Sequence, residues 1–188
     1  IVIDKKVTIK AALFIDKEQK GKTSVKTIYF SKAIGKKVQY NTKYSDRYSG
    51  SGPLTLVDGL TGSIAHNDNY WQGWKGQNID VTIDLDDIKN ISKVSVGFLE
   101  SHGSWIFLPT HVIVSFSTDG LSFEGESEIH INDGENGGPA NRIDCESVDL
   151  NLSARYVRVK AINRGSCPEW HPGAGSNTWL FSDEISVE

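Results

Sequence analysis

The clearest alternation of apolar and polar residues runs through Ile79-Asp-Val-Thr-Ile-Asp-Leu85. A period of two puts Ile79, Val81, Ile83 and Leu85 on one face and predicts a half-buried strand. The same period places Val7, Ile9, Ala11, Leu13 and Ile15 on one side of a strand. Ser24 to Phe30 forms a second strand after a turn at Asp16 to Lys22. Further strands are predicted near Lys37–Tyr40 and over Ser92–Leu99, His111–Phe116, Arg142–Leu150, Ala154–Ala161 and Asp183–Val187. Asp119-Gly120 marks a hairpin turn. Between these lie a turn-rich stretch at Leu54–Ser63, a polar-aromatic loop from His66 to Gly76 with Tyr70, Trp71 and Trp74, and a Gly/Asn loop from Asn132 to Pro139. No stretch carries the 3,4 repeat of a helix. Many short strands separated by turns predict an all-β, antiparallel sandwich or barrel. A two-stranded hairpin is marginal alone, so residues 1–34 belong to a neighbouring domain or dock on the remainder of the chain.

The length of 188 residues fits one domain, or one domain with a fragment of another. A hydrophobic share of 38% is enough for a core. The chain opens at Ile1 and has no Met, as expected of a piece cut from a longer protein. It shows no signal peptide and no apolar run long enough to span a bilayer. Residues 1–50 balance at +8 and residues 51–188 at −12. The acidic larger part argues against nucleic acid and membrane lipid as partners. The lysines of the first part follow strand alternation and read as a solvated face. Cys145 and Cys167 are too few for a disulfide scaffold, and a bridge or a buried free pair fits equally.

Asn163 to Val187 packs Arg164, Cys167, Trp170, His171, Trp179 and the pair Asp183-Glu184 around two prolines and three glycines. A long ordered loop is usually functional, and this one is too aromatic for disorder. The chain has no His-Glu-x-x-His, no Gly-x-Ser-x-Gly and no P-loop.

Leu56-Val-Asp-Gly, Trp71-Gln-Gly before a strand ending Ile83-Asp-Leu, Ser117-x-Asp-Gly-x-x-Phe123, Ala154-Arg-Tyr-Val-Arg-Val and Glu184-Ile-x-Val stand in the order of a discoidin domain. The chain resembles this coagulation factor (F5/8) type C fold, shared by family 32 carbohydrate-binding modules, over about residues 40–188. Tyr48-Ser-Gly-Ser-Gly, Leu56-Val-Asp-Gly-Leu-Thr-Gly-Ser, Trp71-Gln-Gly-Trp and Trp170-His-Pro-Gly-Ala-Gly are also similar to the C-terminal regions of bacterial family 20 β-N-acetylhexosaminidases (chitobiases). The resemblance implies an eight-stranded jelly-roll-like β sandwich, galactose-binding-domain-like, over residues 53–188. Residues 35–52 would be a linker, and residues 1–34 the last strands of a small β domain. It also implies a parent glycoside hydrolase that is secreted, periplasmic or on the surface of a bacterium.

The site residues follow from the resemblance. Pyranoses stack their apolar faces on aromatic rings and offer hydroxyls to polar groups. Three loops at one end would form the site: His66–Trp74, Glu100–Pro109 and Arg164–Asn177. They offer His66, Tyr70, Glu100, His102, Trp105, Arg164, Trp170 and His171 as carbohydrate-binding candidates. Trp71 and Trp179 flank strands and read as core, whereas Trp105, Trp170 and His171 fit ligand contact or packing equally. By spacing alone, Asp58 is a plain turn residue and Glu184 a solvated strand-end acid. The resemblance implies a structural Ca²⁺ held by Asp58, Ser63, Glu184 and a carbonyl of Leu60 or Leu56, since this ion takes hard oxygen donors in flexible geometry. Family 20 catalysis uses an adjacent Asp-Glu pair, but Asp183-Glu184 opens the last strand of a sandwich and is not read as catalytic.

Two functions are compatible with these residues. One is a non-catalytic carbohydrate-binding module for GlcNAc-, GalNAc- or galactose-type glycans, acting with a catalytic domain in cis. The other is a structural module docking on that domain.

Overall fold

The computed structural model describes residues 7–28, 30–131 and 136–188. β1 (Val7–Ile15) and β2 (Glu18–Ile28) form a separate antiparallel hairpin. Leu13, Phe14 and Ile15 of β1 are exposed. Residues 1–6 and 29 of the expected N-terminal unit lie outside the described residues.

The remaining strands are β3 (Lys37–Tyr40), β4 (Gln72–Lys75), β5 (Ile79–Ile91), β6 (Val94–Glu100), β7 (His111–Ser117), β8 (Glu124–His130), β9 (Asn141–Glu146), β10 (Leu152–Ala161) and β11 (Trp179–Val187). They form two sheets, ordered β3-β5-β10-β7-β8 and β4-β11-β6-β9. These nine strands exceed the eight that the resemblance implied by one. The core lies between the sheets. Val81, Ile83, Val112, Val114, Val157 and Val159 from the first meet Val94, Phe98, Leu180 and Ile185 from the second.

The β5 alternation behaves as its period requires, with Ile79, Val81, Ile83 and Leu85 buried. Its polar phase faces outward and is paired across the sheet. Arg158 forks onto Asp80 at 2.8 and 2.7 Å, and Arg155 onto Asp84 at 2.7 and 2.8 Å.

Three local readings are corrected. Residues 35–52 hold the short strand expected at Lys37–Tyr40, but the segment is docked on the sandwich, because β3 is an edge strand paired with β5, and Ala33 ahead of it is fully buried. Ser31 Oγ also accepts a hydrogen bond from Val187 N–H at 2.9 Å. The supposed loop His66–Gly76 contains β4, and its Trp74 is buried. The sequence hides β4 because Gln72, though polar, is fully buried and gives its amide to Gly52 O at 2.8 Å. The final strand starts at Trp179, ahead of Asp183, and its first four residues pair with β4. β8 carries no apolar alternation because it is an edge strand with exposed Glu124, Glu126 and Glu128, the kind of charge that blunts a sheet edge. Of the Asn132–Pro139 loop, residues 132–135 lie outside the described residues. Cys145 and Cys167 are both buried and free.

Candidate functional site

The long loop after β10 is ordered by its own backbone. Asn163 Oδ1 accepts from Gly165 N–H at 2.8 Å and from the Thr178 hydroxyl at 2.6 Å, closing the base. Cys167 N–H bonds Ser176 O at 2.8 Å, and Gly175 N–H bonds Cys167 O at 3.0 Å. Gly175 has a φ of 79°, in the left-handed region that glycine enters freely. The neighbouring segment is stitched to β11, since Trp179 N–H bonds Trp105 O at 2.8 Å and Phe107 N–H bonds Trp179 O at 3.0 Å.

These loops build an aromatic cluster on a buried floor. Phe107 is 2% exposed and lies 4.7 Å from the His102 ring, 5.4 Å from His171 and 6.1 Å from Trp170. The Arg164 guanidinium stands 5.6 Å from the Phe107 ring centre. His171 is flanked by two indoles, Trp105 at 5.2 Å and Trp170 at 5.6 Å. The indoles differ from the floor in exposure: Trp105 is 38% and Trp170 40% exposed, against 4% for His102 and 5% for His171.

The two histidines are spoken for inside the protein. His102 Nδ1 accepts from Gly137 N–H at 3.1 Å, which leaves Nε2 as the donor toward Glu100 Oε1, 3.1 Å away. His171 Nδ1 accepts from Gly173 N–H at 3.0 Å, so its Nε2–H donates to His102 O at 2.8 Å. Glu100, His102 and His171, expected as ligand contacts, are buried beneath the two indoles' cluster. Of the expected binding residues, only Trp105, Trp170 and Tyr70 are exposed. Tyr70 is 37% exposed, and its N–H donates to Asp68 Oδ1 at 3.0 Å. His66 joins an adjoining cluster, 6.0 Å from Tyr48 and 6.3 Å from Phe181. Tyr48 lies 5.1 Å from Trp179, whose backbone is paired with Trp105. Phe107, Tyr48, Gly137 and Gly173 are the members the sequence reading missed.

Gly173 carries a usable signal, as a glycine two residues after a loop His and three after a Trp. A Cβ there would collide with the Trp105 indole. Gly173→Ala is expected to displace that indole and change its fluorescence emission while moving the melting midpoint by only a few degrees. An unchanged emission spectrum would show that Trp105 is not seated against Gly173.

The expected metal residues surround the tight turn before Leu60. Asp58 Oδ1 accepts from Leu60 N–H at 2.8 Å and its Oδ2 from the Ser51 hydroxyl at 2.7 Å. Glu184 is 4% exposed. Its Oε2 accepts from Gly59 N–H at 3.0 Å, whereas Oε1 is buried with no hydrogen bond among the described residues. Burial, with Asp58 and Asp183 nearby, pushes the Glu184 carboxyl up to about 9, while the Gly59 N–H pulls it down. Ser63 is exposed, its carbonyl accepting from Trp71 Nε1 at 3.0 Å and its hydroxyl from Ala65 N–H at 3.1 Å. Among the described residues no three His, Cys, Asp or Glu side chains group as metal ligands. Asp183, fully buried, binds Gly62 N–H at 2.8 Å and Arg142 Nε at 2.6 Å, a structural task.

The family model for the F5/8 type C domain matches residues 39–181. Comparison with curated proteins gives no match. Among solved structures, a fucose-binding module of Streptococcus pneumoniae is similar at a TM-score of 0.54 and 17% identity, over 84% of this chain and 94% of that one. The lectin domain of lectinolysin, solved with Lewis b antigen, is similar at 0.51 and 17%, over 85% and 96%. At such identities the likeness establishes the fold.

Proposed function

The chain belongs to the F5/8 type C domain family, and from that premise we propose that it is a non-catalytic carbohydrate-binding module. Its sugar would lie against Trp105 and Trp170. The observation that carries this reading is the pair of half-exposed indoles flanking buried His171. An indole face suits the C–H face of a pyranose. An exposed aromatic pair on an ordered floor loses little conformational entropy when a ligand arrives. That one similar structure is a fucose-binding module and the other a lectin domain complexed with Lewis b antigen supports a glycan as the ligand class here.

The finer reading keeps the sequence resemblance. The module is appended to a secreted or envelope glycoside hydrolase, a β-N-acetylhexosaminidase, and holds it near GlcNAc-, GalNAc- or galactose-type glycans. A single sugar would bind at roughly millimolar strength, about −4 kcal/mol. Tethering to a catalytic domain converts that into a high local concentration. Ca²⁺ belongs to the same proposal: the orphaned Glu184 Oε1, Asp58 and carbonyls of the Leu56–Leu60 turn would hold it. When bound, it would neutralise the buried Glu184 carboxylate and pin the turn to β11.

Titrating the ¹⁵N-labelled protein with a panel of monosaccharides tests the function. The expected result is a shift of the Trp105 and Trp170 indole N–H signals with at least one sugar. A panel that moves neither signal would overturn the reading.

A further inference from the structure

We propose that a second ligand site lies at the opposite end of the five-stranded sheet, in a groove of about 480 Å³ that takes an amino sugar. β10 runs from Leu152, in the groove, to Ala161, which leads into the aromatic loop. Ten residues at about 3.3 Å each separate the two ends by roughly 30 Å. The groove therefore stands apart from Trp105 and Trp170, and does not rest on the reading of that site.

Interruptions in the strand ladders make the space. The β7–β8 register shifts between Val114 and Phe116, and the β10–β5 register between Ala154 and Tyr156. β7 ends at Ser117, opposite Tyr156, so Leu152 to Arg155 of β10 run on past its end. The groove volume lies within the range of small-ligand sites, roughly 300–1,000 Å³.

The lining names the ligand class. Phe116 and Leu152 give an apolar wall, Thr118 and Ser122 give hydroxyls, and Asp119 and Glu124 give carboxylates. No Lys or Arg lines it among the described residues. Asp119 is fixed as an anion, because Leu121 N–H, Ser122 N–H and the Ser117 hydroxyl all donate to Oδ1 and hold its carboxyl below the usual range. Its Oδ2 has no hydrogen bond among the described residues. Exposed Glu124 opens β8, whose Glu126 and Glu128 extend the negative field. A ligand complementary to this set has an ammonium group, several hydroxyls and an apolar C–H face, which describes glucosamine-type sugars. Anionic sugars are excluded by charge, and an N-acetyl sugar lacks the cation.

The test is a pair of NMR titrations at mildly acidic pH, where the sugar amine is protonated, with glucosamine and with N-acetylglucosamine. Glucosamine is expected to shift the amides of Thr118, Ser122 and Glu124. N-acetylglucosamine is expected to leave them in place. Glu124→Gln should weaken glucosamine about tenfold, the loss of one charge-assisted contact. Ser122→Trp, which fills the groove, should abolish the shifts. Unmoved groove amides, equal response to both sugars, or wild-type affinity in Glu124→Gln would overturn the proposal. The Trp105 and Trp170 signals in the same spectra report the first site separately, so failure of one site is distinguishable from failure of the other.

Discussion

Arg142→Met is expected to lower stability by about 3–5 kcal/mol, read as a fall in the urea midpoint. Asp183 is fully buried, and its two oxygens receive Arg142 Nε at 2.6 Å and Nη2 at 3.2 Å. Arg142 also reaches Asp144 at 2.8 Å. Burial opposes its charge, yet hydrogen bonds to Asp183 and Asp144 hold the guanidinium above its ordinary range. Methionine removes the only cation paired with Asp183 among the described residues and strands the carboxylate. The packing leaves no room to rearrange, since a Cβ at Gly97 would already collide with both partners. Adding Asp183→Asn should recover part of the loss, because asparagine is neutral and still accepts the Gly62 N–H. Burial pushes the Asp183 carboxyl up while Arg142 pulls it down, so a single variant within about 1 kcal/mol of wild type would mean that Asp183 takes up a proton or meets water and is not stranded as an anion.

The second large effect concerns Glu184. Without a bound cation its carboxyl is held up to about 9, against an ordinary 4.5, chiefly by burial. The folded chain then keeps a proton that the unfolded chain has released. The stability this proton contributes is therefore fully present below about pH 4.5 and is lost as the pH rises toward 9. At about 1.4 kcal/mol per unit the loss is bounded at ~6 kcal/mol. A cation reverses the preference, because it binds the carboxylate and not the acid. At mildly alkaline pH, added Ca²⁺ is expected to raise the melting midpoint and a chelator to lower it. Glu184→Gln should remove both responses and flatten the pH dependence, since glutamine still accepts the Gly59 N–H. A melting midpoint indifferent to calcium in the wild type would argue against the ion.

The two-residue period was enough to find β5, β7 and β10, because each buries one clean face. It was blind to β4 and β8. Gln72 is a polar residue made inward by long-range partners, Gly52 and Tyr40. β8 is an edge that trades apolar alternation for charge. The site was half legible. Trp105 and Trp170 stood out as aromatics among glycines with no strand face to receive them, and they are the exposed pair. Glu100, His102 and His171 have the right chemistry for sugar hydroxyls but spend it on each other and on the Gly137 and Gly173 amides. That closure depends on a loop contact from Gly137, 35 positions from His102, which no local pattern announces. Nothing in Ile106-Phe-Leu108 separates a site floor from ordinary core, so the sequence does not mark Phe107.

The most direct measurement is calorimetric titration of wild type, Trp105→Ala and Trp170→Ala with whichever sugar of the panel binds. If the indole pair is the binding surface, each variant keeps its fold and weakens binding at least tenfold, about 1.4 kcal/mol. Folded variants that bind the sugar as tightly as wild type would contradict it.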